Sequence, residues 1–115
     1  MVVLNQGINR IRDLLASDIG SGQAGTDSTT PTVIDTALVV AIGSKTDATV
    51  ETSDKLITVT HTILSTQNNG STHREHGTYV NSDATLWERI VHADIAKTSN
   101  EEITYIKTFF IDQVI

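Results

Sequence analysis

Apolar residues recur at helical spacing in one stretch, Leu4, Ile8, Ile11, Leu14, Leu15 and Ile19, whereas the later patterned segments alternate with the period of a strand. The stripe predicts an amphipathic helix over residues 4–19, laid on a sheet; docking of this helix into a partner subunit is the sharper alternative. Asn5 is a suitable N-cap, and Gly20 with Gly22 just beyond supplies a stop. Arg10, Arg12, Asp13, Ser17 and Asp18 take the other side.

Residues 20–32 read as loop by composition. Their glycine density resembles a phosphate loop, but the Lys-Ser/Thr ending is missing and no strand precedes them. Residues 37–42 predict a strand, closed by a turn at Gly43-Ser44. Over residues 55–64 the alternation is clean: Ile57, Val59, His61 and Ile63 share one face, and Thr58, Thr60 and Thr62 the other. Asn69-Gly70 is a type I′ hairpin signal. Residues 71–98 predict a second hairpin around Asn81-Ser82-Asp83, residues that tolerate left-handed backbone. A three- or five-residue loop would set Glu75 opposite Arg89 and Gly77 opposite Trp87, pairing opposite charges and covering a glycine with an indole. Residues 103–111 form a last strand, buried on both faces or lying in an interface. Val114 and Ile115 would tuck under the domain or dock.

The expected fold is therefore α+β, mostly β, in a single domain over residues 1–115. It is an antiparallel sheet or small β-sandwich of five to six strands with one N-terminal helix.

Composition narrows the function classes. The eight Lys and Arg are scattered in a chain of net charge −6, which argues against nucleic-acid binding. Without cysteine, neither disulfides nor thiolate metal sites are available. Residues 1–13 have no basic start, so no signal peptide is expected, and no apolar run is long enough for a membrane span. Eighteen threonines against five aromatics suit thin β-structure with a solvated face, as in surface proteins of virions, adhesins and carbohydrate-binding modules.

Candidate chemistry is sparse. His73, Glu75 and His76 are the one cluster resembling a metal site, but His73 and His76 point to opposite faces of a strand. A third ligand, His61 or His92, would depend on sheet order. The expectation is no metal, no cofactor and no catalytic residue, and hence no enzyme. Glu75 with Arg89 reads as a surface cross-strand pair or as a pair buried at a subunit boundary. Leu86, Trp87, Ile90, Tyr105, Phe109 and Phe110 are the candidate core or interface anchors.

The order of these segments resembles small tail-fibre-associated and tail-collar-type proteins of tailed phages and archaeal tailed viruses. The likeness runs nearly the full length: the helix "LNQGINRIRDLLASDI", the loop "GQAGTDSTTPTVIDTAL", the strand "DKLITVTHTIL", then "REHGTYV", "LWERIVHADIAKT" and "TYIKTFFI". Glu75, Gly77, Arg89, Lys97 and Thr98 match the framework positions, while His76, Thr78 and Tyr79 stand where that group carries apolar residues. The resemblance implies a non-enzymatic virion component, a tail adaptor or fibre-base module. It would form a homo-oligomer, most often a trimer, with other virion proteins and a host-surface receptor as further partners. A capsid decoration or turret subunit is the alternative within that class. A receptor- or glycan-binding module that uses the Thr faces and Trp87 is the alternative outside it.

Overall fold

The computed structural model describes residues 1–112. One helix, α1 (Asn5–Asp18), precedes seven strands: β1 (Ser21–Gly25), β2 (Ala41–Asp47), β3 (Thr49–Ser53), β4 (Leu56–Ile63), β5 (Thr72–Val80), β6 (Thr85–Ala96) and β7 (Ile103–Phe110). They form two antiparallel sheets, ordered β2-β1-β5-β6 and β3-β4-β7. The chain is α+β and mostly β as expected, with more strands than the five or six anticipated. The expected placement of Val114 and Ile115 lies outside the described residues.

The sheets face each other across two apolar clusters. Ile19, Ile57, Val59 and Val80 make one, with Trp87, Phe109, Leu15 and Ala16 against it. Ala24, Ile63, Ile103 and Tyr105 make the other, with Ile42 and Ile90. Period-2 burial along β4 puts Ile57, Val59, His61 and Ile63 inside, as the alternation predicts. β7 alternates too, so it is buried on one face rather than two.

Several expectations need correction. The helix begins after Leu4, which makes no side-chain cap, so Asn5 is inside it. It ends at Asp18 by the extended conformation of Ile19 rather than through a left-handed glycine. Of its stripe Ile8 is buried within the helix and Ile19 just beyond it, Leu15 is half-buried, and Leu4, Ile11 and Leu14 are exposed.

The first part of the expected loop is β1, an interior strand of its sheet. It contains no β-branched residue because its neighbours leave no room for one. A Cβ on Gly22 would stand 2.6 Å from the His61 ring, and one on Gly25 would strike Glu75 and the Val40 carbonyl. Glycine in a strand marks such close approach. The strand expected at residues 37–42 starts only at Ala41 and runs through Gly43-Ser44 without turning. Asn69-Gly70 does not close a hairpin either: β4 and β5 lie in different sheets, and residues 64–71 carry the chain across.

The β5–β6 hairpin forms, but in another register. Glu75 faces Val91 and Gly77 faces Arg89. The loop has four residues between Val80 and Thr85, with Asn81, Ser82 and Asp83 all left-handed, and the ladder then shifts past Trp87. A bulge of this kind re-aims the following side chains. Leu86 and Leu38 occupy the space over Gly77, and Trp87 instead packs against Phe109 at 4.4 Å.

Candidate functional site

Between the sheets lies a chain of polar side chains where alternation alone would place apolar ones. Thr46 comes from β2, His61 from β4, His76 and Thr78 from β5, Glu88 from β6 and Lys107 from β7. Thr46 Oγ1 is 2.6 Å from His61 Nε2, and His61 Nδ1 is 2.8 Å from His76 Nε2. Lys107 Nζ lies 2.7 Å from His76 Nδ1, 3.1 Å from Thr78 Oγ1 and 2.7 Å from Glu88 Oε1. Tyr105 stacks on His76 with ring centroids 3.8 Å apart, and its hydroxyl meets His92 Nε2 at 2.8 Å.

The direction of these bonds follows from Lys107. An ammonium only donates, so His76 Nδ1 accepts and its proton resides on Nε2. That proton is given to His61 Nδ1, which leaves His61 protonated on Nε2 and donating to Thr46 Oγ1. The Thr46 hydroxyl hydrogen is then left to point outward.

Burial holds His61 below the usual histidine range, with the Lys107 charge as a lesser cause. The same two causes, in the same order, push His76 down to about 2. Burial lowers the Lys107 ammonium and raises the Glu88 carboxyl, each partly offset by the other's charge. Desolvation thus outweighs attraction on both partners, as is common for buried pairs. Burial also raises the Tyr105 phenol to about 12.

On the other face of the same sheet Glu75 and Arg89 meet at 2.7 Å, although they are not directly opposite. Both are buried within one chain, so the exposed reading does not hold. Glu75 accepts the amides of Val40 at 2.9 Å and Val39 at 3.3 Å. Arg89 donates to the Thr29 carbonyl at 2.9 Å and lies 3.4 Å from Asp35 and 3.5 Å from Asp27. The pair clasps the long connection from β1 to β2 onto the sheet.

The other expected residues scatter. His73 bonds the Asn68 carbonyl at 3.2 Å, Glu75 is taken by the clasp and His76 is inside, so the three do not converge. His61 does reach His76, but the two nitrogens bond directly and Lys107 occupies the other side. Among the described residues no group of three or more acidic or histidine side chains is placed to hold a metal ion. Lys97 is buried, with Nζ 2.6 Å from Asn69 Oδ1, and Thr98 closes a turn with Glu101. Tyr105 is core, Leu86, Trp87, Ile90 and Phe109 are half-buried, and Phe110 is 67% exposed.

Sequence reasoning passed over Thr46, Glu88 and Lys107. The signal was present for Lys107, which shares the inward phase of its strand with Ile103, Tyr105 and Phe109. Compared with known proteins, the chain matches no family model, no curated protein and no solved structure. Among the described residues no helix is long and apolar enough to cross a membrane.

Proposed function

We propose that this chain is a structural module of a tailed virus particle that works by assembling with copies of itself. The observation that carries the reading is the outer face of the β3-β4-β7 sheet. Along β4 and β7 the outward residues are Leu56, Thr58, Thr60, Thr62, Thr104, Ile106, Thr108 and Phe110, none of them charged, and on β3 the same face adds one carboxylate, Glu51, beside Thr58. They pair across the two strands, Leu56 with Phe110 and Thr60 with Ile106. Ile106 is 68% and Phe110 67% exposed, so apolar area is left in water.

The occupant that best fits this face is a second copy. A chain of net charge −6 repels itself through most of its surface, and the uncharged β4–β7 part of this face, with Glu51 confined to the β3 side, lessens that penalty where copies touch. Among the described residues β7 is also an edge of its sheet, and an edge strand is a template for pairing. Symmetric closure would satisfy both. The trimeric state and the place at the tail, as adaptor or fibre base, rest on the resemblance in segment order, and labelling of intact particles would read the location.

Sedimentation of the isolated chain tests the assembly. A symmetric oligomer is expected, and Ile106→Lys with Phe110→Glu should convert it to a monomer of unchanged circular dichroism. A wild-type chain that stays monomeric at high concentration overturns the reading.

A further inference from the structure

The relay between the sheets ends at a pocket. About 260 Å³ in volume, it is lined by Ala24, Gly43, Ser44, Thr46, His61, Ile63, Gln67 and Asn68. A second hollow of about 290 Å³ adjoins it, shares Thr46 and Gln67, and adds Thr60 and Thr62. Sites for small molecules begin at about this size. From the geometry of this groove we infer a binding site for a neutral, polyhydroxylated ligand, a saccharide.

Three observations lead there. First, the relay orients the floor of the pocket. Because Thr46 accepts from His61, its hydroxyl hydrogen is free to donate to whatever enters. Lys107 polarises the whole series in that direction, and bonds in such chains strengthen one another. Second, the walls offer neutral groups of both kinds. Gln67 accepts the Leu64 amide through Oε1, which leaves its amino group for a ligand. Ser44 and Asn68 contribute a hydroxyl and an amide, while Ala24 and Ile63 close the base of the groove from the core. Third, charge selects against ions. No Lys or Arg lines either hollow, Asp47 borders the second, and the net charge is −6, all of which disfavour an anion. A cation would meet an outward-pointing donor at the floor.

The site differs from the glycan reading that uses Trp87, since Trp87 is committed to Phe109 between the sheets. It meets the proposed self-assembly face only at Thr60 and Thr62, whereas Thr46, His61 and Gln67 lie off that face.

The experiment is a titration of the intact chain, followed by amide chemical shifts, with the methyl glycosides of glucose, galactose, mannose and N-acetylglucosamine. At least one should shift the amides of residues 43–46 and 67–68, with a dissociation constant on the order of 1 mM, as a small polar ligand gives. Thr46→Val keeps the shape and removes the donor, and should weaken binding roughly tenfold. Asn68→Gly, which suits the left-handed backbone at that position, should weaken it as well and serves if the valine variant does not fold. Nitrogen shifts of His61 should report a proton on Nε2. The inference is overturned if no sugar shifts these amides. It is also overturned if a folded Thr46→Val chain binds as wild type does, or if a capped dipeptide binds more tightly than every sugar.

Discussion

Two ion pairs engage opposite faces of the β5–β6 hairpin, and they do different work. Glu75 and Arg89 lie on the outer face beneath a loop, with Arg89 spread over Glu75, the Thr29 carbonyl, Asp35 and Asp27. Glu88 and Lys107 lie between the sheets, and Lys107 spends its donors on Glu88, Thr78 and His76. A guanidinium is a rigid planar fork, and it ties one loop down at several points. An ammonium is a point charge with three rotatable donors, and it sets the direction of a hydrogen-bonded chain. Arginine therefore serves as a clasp here and lysine as a source of polarity.

Breaking the clasp should have the largest effect. Arg89→Ala leaves Glu75 buried without its cation, and a loss of roughly 3–5 kcal/mol is expected in denaturant unfolding. Hydrogen exchange should then rise across residues 26–40 before it rises in β5. Glu75→Ala with Arg89→Ala should show coupling in a double-mutant cycle, and strictly additive losses would mean that the clasp is not one unit. Arg89→Lys should not restore the loop, because a single ammonium cannot reach all four acceptors.

The inner pair should answer differently. Glu88→Ala strands Lys107 and should cost about 1–3 kcal/mol, whereas Lys107→Met with Glu88→Leu removes both charges and should cost less, the remainder being the donor lost to His76 Nδ1 and Thr78. A double variant as damaged as the single one would show that the relay, not packing, holds the sheets together.

Acid sharpens the contrast further. His61, His73 and His76 are all held below 6.5 by burial. The unfolded chain therefore binds more protons than the folded one below that pH. Their contribution is complete above about pH 6.5 and is lost as the pH falls toward the folded values, by roughly 1.4 kcal/mol per pH unit for His76. Urea midpoints at pH 7.5 and pH 5 should show this, and His76→Phe should flatten the slope. The smallest effect is expected at the outer surface, where Ile106→Lys and Phe110→Glu should change stability by no more than about 0.5 kcal/mol while altering the state of association.

Local patterns were legible where one face of a strand is buried and the other wet. β4 is read correctly residue by residue because its Thr and Ile/Val phases differ in hydration. The turn at Asn81-Ser82-Asp83 is legible because these residues tolerate left-handed backbone. β1 was not, since a strand of Ser, Gly, Gln and Ala has the composition of a loop and earns its place through what its neighbours exclude. The partnership of Glu75 with Arg89 was foreseen on a wrong register. Long side chains on one face reach diagonal neighbours, so the contact survived a shift that the Trp87 bulge imposed.

By itself, the sequence determined the class of fold, the helix, the phase of β4, the central hairpin and the union of Glu75 with Arg89, because period and turn chemistry act over a few residues. Only the tertiary structure decided that His61, His76 and Lys107 meet, that β4 and β5 part into different sheets and that Trp87 turns inward. Those outcomes depend on which strands become neighbours, and strands far apart in the chain are joined by the packing of the whole core.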